Sequence, residues 1–302
     1  MVPQVVLSEQ GPRMSRMVQG FWRLAGWDRD ARQIASLVDG CLEQGITAFD
    51  HADIYGSYTC EGLFGAAWAD MRVDRAQIQL VTKCGIKLVS KNRPQHRVHS
   101  YDASRAHIVT SVENSLRHLR TEYLDLLLIH RPTPLLDPRE VNEAFVSLRD
   151  AGKVRYFGVS NFLPSQFELL ASKLDVPLVT NQIEYSVMNL DAHVDGSLEL
   201  CQKLEIRPMA WSPLGGGRLF EEDSEQARRL RDTLTRIGGE VGGAPIDQVA
   251  IAWVLKHPAG FVPVLGTGRI DRIRSAVAAL DIDLTTEQWF EIRFASLGQD
   301  IP

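Results

Sequence analysis

Residues 45–56 read GITAFDHADIYG. A short apolar run, Ile46–Phe49, ends at Asp50, and His51, Asp53 and Tyr55 follow within five residues. The run is continuous rather than alternating, as in a strand covered on both faces. The polar cluster falls where that strand gives way to a loop. Taken alone, it is a metal site, an acid–base site or a crowded polar turn.

Working outward, seven more runs of the same kind appear: Met17–Phe21, Ile78–Cys84, Leu124–His130, Val154–Ser160, Leu178–Tyr185, Ile206–Ser212 and Phe261–Thr267. Stretches of helical period separate them. ARQIASLVDGCLEQG follows the first run. SRAHIVTSVENSLRHLR follows the third, with Ser104 or Asp102 as N-cap. NEAFVSLRDAGK follows the fourth and stops at Gly152. Eight strands alternating with helices, without a composition break, predict an α/β fold. The expected architecture is a single (β/α)8 TIM barrel over residues 1–302, with a short N-terminal extension and rim helices. A doubly wound sheet is the competing architecture, and it wants a GxGxxG after an early strand, which is absent. The gap Pro213–Phe261 reads as a loop plus two rim helices, with GGEVGG at 238–243 as a helix terminator and turn.

The totals exclude several classes. A chain of 302 residues that is 44% hydrophobic has the material for a large core. A net charge of −5 gives no bulk attraction to nucleic acid or to anionic membrane. No apolar run approaches the roughly 20 residues a membrane helix needs. The N-terminus MVPQVVLSEQGPR has neither a basic start nor a long apolar core, so no signal peptide is expected. Cys41, Cys60, Cys84 and Cys201 are scattered, which reads as reduced thiols and a cytoplasmic protein. No heptad or long apolar edge points to assembly, so a monomer or weak oligomer is the default.

Barrel enzymes keep their chemistry at the C-terminal strand ends. Here those ends carry Asp50 with Tyr55 just beyond, Lys83, His130, Ser160 with Asn161, Asn181 with Gln182 and Glu184, Trp211 with Ser212, and Gly266 with Thr267. Lys83 and Asp50 on apolar strands are tolerable only as a pair. A tyrosine beside a lysine ammonium has its phenolate favoured and its pKa lowered. A histidine can orient a substrate oxygen. Together these groups can protonate a developing alkoxide, while the hydride has to come from a cofactor.

These segments together resemble the aldo-keto reductase superfamily, nearly end to end and in order. GITAFDHADIYG, VTKCG, YLDLLLIHRP, GKVRYFGVSNF, TNQIEYS, MAWSPLGGG and PVLGTGRIDRIRSA are each similar to a segment of its members. LTTEQWFEIRFASLGQDIP, with MAWSPLGGGRLF, resembles its bacterial YdhF-like branch of oxidoreductases. The resemblance implies Tyr55 as proton donor, Lys83 as the neighbour that lowers its pKa, Asp50 as partner of Lys83, and His130 as the group orienting a small-molecule carbonyl. Ser160, Asn161 and Gln182 would hold a nicotinamide carboxamide, and Trp211 would stack on the ring where many members have tyrosine or phenylalanine. Ser212, Leu214 and Gly216 would line the pyrophosphate with Arg218 nearby. Thr267, Arg269 and Arg272 would approach a 2′-phosphate, which favours NADP(H) over NAD(H). Many members have lysine at Gly266 and Glu–Asn at Ser275–Ala276, so this chain departs from them at the adenosine end. His130, where steroid double-bond reductases carry glutamate, favours a carbonyl substrate.

Other readings stand beside these. HAD is not an early HxH, so His51 and Asp53 are expected to be solvated or capping, and no metal is expected. Trp22 walls a substrate pocket or packs in the core. The basic loop Ile86–Tyr101 is expected to be solvated, with a bordering role in an anion-preferring pocket as the alternative. Arg131 and Pro132 read as positioning residues. The expected function is reduction of aldehydes or ketones. The alternatives are a cofactor-holding regulatory protein like potassium-channel β subunits, against which the lack of an added N-terminal segment argues, and a metal-dependent barrel hydrolase.

Overall fold

A computed structural model describes residues 1–71 and 73–300. Its twelve strands are β1 (Gln4–Val6), β2 (Arg13–Ser15), β3 (Val18–Gly20), β4 (Ala48–Asp50), β5 (Gln79–Cys84), β6 (Ile86–Lys87), β7 (Ser100–Tyr101), β8 (Leu124–Ile129), β9 (Val154–Ser160), β10 (Leu178–Glu184), β11 (Met209–Trp211) and β12 (Val262–Leu265). Eight of them close a parallel barrel in the order β10-β11-β12-β3-β4-β5-β8-β9. Each barrel strand lies inside one of the eight expected runs. The barrel closes where β12 pairs with β3, Val264 opposite Val18.

The continuous apolar runs follow from two cores. Val18, Ala48, Val81, Leu126, Leu128, Val179, Met209 and Val262 fill the barrel interior. The alternate side chains, among them Phe49, Leu80, Leu127, Phe157 and Ile183, pack outward against the helices. The N-terminal extension is an antiparallel hairpin, β1 with β2. It sets Leu7 and Met14 into the interior core and so plugs the N-terminal end of the barrel. Arg207 N–H donates to Leu7 O at 2.7 Å and pins the plug.

Local chemistry sets the helix ends. Asp30 caps helix Ala31–Glu43 in a reciprocal box with Gln33. Ser104 caps Arg105–Leu119, and Asp102 accepts from the Ser104 hydroxyl instead of capping. The third helix starts earlier than Asn142, at Pro138, with Asp137 as its cap. Its first turn is Pro-Arg-Glu, so no apolar period announces it. The 213–261 gap holds a glycine turn, a four-residue helix Arg218–Glu221, and helices Glu225–Glu240 and Ile246–Lys256. Only the second glycine pair of GGEVGG is a turn, at φ +91° and +83°. Gly238 and Gly239 belong to the helix, and a Cβ on Gly238 would stand 2.2 Å from Ala244 O.

Candidate active site

The C-terminal strand ends surround a cavity of about 990 Å3, a volume at the upper end of small-molecule and cofactor sites. Asp50, Tyr55, His130, Ser160, Asn161, Gln182, Trp211, Ser212, Leu214, Gly216, Thr267, Arg269 and Arg272 all line it. Trp22 lines it too, 56% exposed with its ring 6.5 Å from Tyr55, so it is a wall of the cavity and not a core residue. Lys83 lies just beneath the surface, 1% exposed.

The Lys83 ammonium donates to Asp50 Oδ1 at 2.6 Å, to the His51 carbonyl at 2.8 Å and to Tyr55 Oη at 3.1 Å. Its three donors therefore meet three acceptors, which is what a buried ammonium needs. Burial works against its charge, but the Asp50 carboxylate and the Tyr55 hydroxyl outweigh that and hold its pKa above the ordinary lysine value. The other Asp50 oxygen accepts from Gln182 Nε2 at 2.8 Å, across the barrel from β10 to β4. Gln182 thus spends its amide N–H on Asp50, leaving its oxygen for a ligand.

Tyr55 differs from the sequence expectation in its net balance. Burial comes first and raises its pKa, and the lowering by Lys83 is the smaller effect. The hydroxyl therefore keeps its proton well beyond neutral pH. Burial, then Lys83 and then Arg131, pushes His130 well below its ordinary pKa, so it is a neutral imidazole. Its Nδ1 is enclosed without a partner, and its ring meets Tyr55 edge-on with centroids 5.9 Å apart.

The backbone that follows Tyr55 is unusual. Gly56, Ser57 and Tyr58 are all left-handed, at φ +56°, +56° and +71°. Two of the three are not glycine, at a cost of order 1–3 kcal/mol each. The loop after β5 holds them. Asn92 Nδ2 donates to Ser57 O at 2.8 Å, Leu88 N–H donates to Tyr58 Oη at 2.8 Å, and the Arg93 guanidinium lies 4.4 Å from the Tyr58 ring. The basic loop is largely exposed, as expected, but it also docks on the turn after Tyr55 and lends Ile86 to the cavity wall, the bordering role that stood as its alternative.

His51 also departs from expectation. It is fully buried, stacked on Phe21 at 5.0 Å and edge-on to Phe64 at 4.5 Å, with neither ring nitrogen partnered. Burial lowers its pKa to about 3. The Asp53 carboxyl is pushed well up by burial and then by Glu61. His51 is neither solvated nor a cap, and Asp53 is half-buried with one carboxyl oxygen enclosed and unpartnered. Among the described residues no group of three or more His, Cys, Asp or Glu is placed to hold a metal ion.

At the far end of the cavity, Gly215, Gly216 and Gly217 are all left-handed, at φ +63°, +67° and +104°. A Cβ on Gly216 would meet nothing nearer than 3.6 Å, so its backbone lies open to the cavity. Arg23 donates to Gly216 O at 2.6 Å and Arg29 to Gly268 O at 2.5 Å. Sequence reading missed both arginines, although they follow the first barrel strand together with Trp22. Arg218 is not among the lining residues. It bonds Gly215 O and faces Glu184 at 3.6 Å and Glu222 at 4.0 Å. Arg269 is paired with Asp271 at 2.6 Å. Trp211 Nε1 donates to Asn161 Oδ1 at 2.9 Å, and Asn161 Nδ2 donates to Ser160 Oγ at 2.7 Å.

A closed parallel barrel with titratable side chains gathered over a cavity at its C-terminal strand ends is the architecture of a barrel enzyme. The family model "Aldo/keto reductase family" matches residues 16–296, and the chain belongs to that family. It is an oxidoreductase, and family members generally reduce carbonyls with nicotinamide cofactors. The chain is 52% identical to "Uncharacterized oxidoreductase YcsN" of Bacillus subtilis, covering 96% of this chain and 97% of that one. It is 47% identical to "Oxidoreductase YdhF" of Escherichia coli over the full length of both. A "6-dehydroglucose reductase" of Agrobacterium fabrum is 44% identical, covering 95% of this chain and 96% of that one.

Proposed function

We propose that this protein reduces aldehyde or ketone carbonyls to alcohols with NADPH, and that Tyr55 is the general acid. The carrying observation is the Tyr55 hydroxyl on the cavity wall, 3.1 Å from an ammonium that Asp50 locks in place. When bound, the cofactor supplies a hydride to the carbonyl carbon. Tyr55 supplies the proton to the oxygen, and the elevated pKa of its hydroxyl keeps that proton available at neutral pH. Lys83 stabilises the phenolate left behind, and Asp50, held also by Gln182, fixes Lys83. Neutral His130, which lines the cavity, orients the carbonyl oxygen.

The residues present fit a phosphorylated dinucleotide. Ser160, Asn161 and Gln182 would hold its carboxamide and Trp211 would cover the ring. Gly215 and Gly217 donate their N–H groups to Ser212 O and Leu214 O within the turn, so the open backbone of Gly216 is where a pyrophosphate would approach. Arg272 is the guanidinium available to a 2′-phosphate, since among the described residues it has no ion pair, and Thr267 and Arg269 stand beside it. The four thiols are buried and unpaired, which favours a reducing compartment, and we place the enzyme in the cytoplasm.

The test is NADPH oxidation with a panel of aldehydes, ketones and quinones, wild type beside Tyr55→Phe. Loss of about 10²–10⁴-fold in turnover with NADPH binding retained is expected for removal of a general acid. Equal activity sinks the assignment of Tyr55. Tight NADPH binding without turnover on any carbonyl shifts the reading to a cofactor-holding regulatory protein.

A further inference from the structure

We infer that Arg131 is the specificity-determining residue of the substrate pocket, and that it selects carbonyl compounds bearing a carboxylate a few atoms from the carbonyl. The inference rests on the carbonyl-reductase reading. It begins with a charge that has no partner. Arg131 follows His130 directly, lines the cavity and is only partly exposed. Among the described residues its guanidinium makes no ion pair and no hydrogen bond. The guanidinium lies over the Trp211 ring, 5.8 Å from its centroid. A guanidinium with five N–H donors thus lines the cavity with no protein acceptor bonded to it among the described residues.

The surroundings leave that charge for a ligand. Asp50 is taken by Lys83 and Gln182. Asp247 accepts from Ser275 at 2.7 Å. Glu184, near enough to feel Arg131, is engaged by Arg218. Position then separates this arginine from the cofactor end. In the barrel order β8 stands four strands from β12 in either direction, so the loop bearing Arg131 lies diametrically opposite the one leading to Arg272. Arg131 thus stands across the cavity from Arg272, and Arg23 and Arg29 are held by the Gly216 and Gly268 carbonyls.

The rest of the near wall is Trp22, Ile54 and Ile86, which is apolar. Such a wall suits a short carbon chain, and the guanidinium suits a planar anion better than a neutral hydroxyl. Because Arg131 adjoins His130 in the chain, the anion has to lie close to the carbonyl that His130 orients. The loop cations Lys87, Lys91, Arg93 and Arg97 are not among the cavity-lining residues, and Lys87 is paired with Asp102 while Arg93 lies on Tyr58.

The experiment compares 4-oxobutanoate with butanal, two aldehydes of equal chain length that differ by a carboxylate. 6-Dehydroglucose serves as a neutral polyhydroxy aldehyde. Wild type should prefer 4-oxobutanoate by kcat/KM, and Arg131→Gln should lower the 4-oxobutanoate to butanal ratio about tenfold or more. Arg131→Lys should restore part of it, and the exposed-loop control Arg97→Gln should leave the ratio where it was. Added salt should raise KM for 4-oxobutanoate more than for butanal. A ratio unchanged in Arg131→Gln overturns the proposal, as does a wild-type preference for butanal or 6-dehydroglucose. Calorimetric binding of butanoate, with and without NADP+, gives a readout independent of turnover. Binding weakened by Arg131→Gln supports the anion site, and unchanged binding overturns it. If no aldehyde is reduced at all, the carbonyl-reductase reading fails while the butanoate titration still decides Arg131.

Discussion

Lys83 has three protons to give and three acceptors to take them, and that closed account makes the residue fragile to change. Lys83→Met leaves Asp50 buried and uncompensated. It should abolish reduction and also cost about 3–5 kcal/mol of stability, read from denaturant midpoints. Adding Asp50→Asn should recover part of the stability and none of the activity. A lone loss of activity without loss of stability would show that Asp50 finds another partner. At the opposite end, Gly266 has open space, since a Cβ there meets nothing within 4 Å, at a position where the family resemblance implies lysine. Gly266→Lys should therefore tighten NADPH binding several-fold and leave NADH nearly unchanged, by the phosphate's Coulomb attraction. Arg272→Ala should do the reverse, and equal effects on both cofactors would remove the 2′-phosphate role. Residue identity at strand ends was legible because Asp50, Lys83 and His130 interrupt apolar runs. The net balance on Tyr55 was not legible, since burial is a property of the assembled site.

Elements meet here through glycines that a sequence cannot rank. Helix Cys60–Ala66 carries two. A Cβ on Gly65 would stand 1.9 Å from the His118 carbonyl of helix Arg105–Leu119, whereas one on Gly62 meets nothing within 4 Å. Gly65→Ala should destabilise the protein by about 1–3 kcal/mol or more through a backbone clash. Gly62→Ala should be neutral or stabilising by up to about 1 kcal/mol, from helix propensity alone. Equal midpoints for the two variants would mean that the helices separate without cost. The same limit applies to the loop Ile86–Tyr101. Its lysines and arginines read as a solvated segment, and the Tyr58, Ser57 and Asn92 contacts that dock it join parts of the chain with no shared local pattern. The helix start at Pro138 was missed for a simpler reason, because its first turn is polar.

The whole molecule carries histidines that burial keeps neutral. His51 is lowered to about 3 and His193 to about 4, by burial first in each case, while an unfolded histidine takes up its proton near 6.5. Between those limits the unfolded chain binds more protons than the folded one, so stability rises with pH across the window and falls on acidification below about 6.5. Melting temperature followed between pH 4 and 7 should show this slope. His51→Leu, which removes two unpartnered nitrogens from an aromatic pocket, should flatten it, and an unaltered slope would assign the acid limb elsewhere. The barrel as a whole was legible because eight continuous runs alternate with helical periods. The plug was read only as an extension, since nothing local to Leu7 or Met14 says that they end in the interior. That plug bears on the order of biosynthesis. The hairpin and β3 leave the ribosome first, yet Leu7 is pinned by Arg207, and Val18 waits for Val264. A nascent chain that stops short of β12 keeps an open edge and an uncovered interior, so the barrel should close only after nearly all of it has emerged. Nascent chains stalled with β12 still inside the ribosome exit tunnel should be cut readily by protease, and chains extended by a linker beyond it should resist.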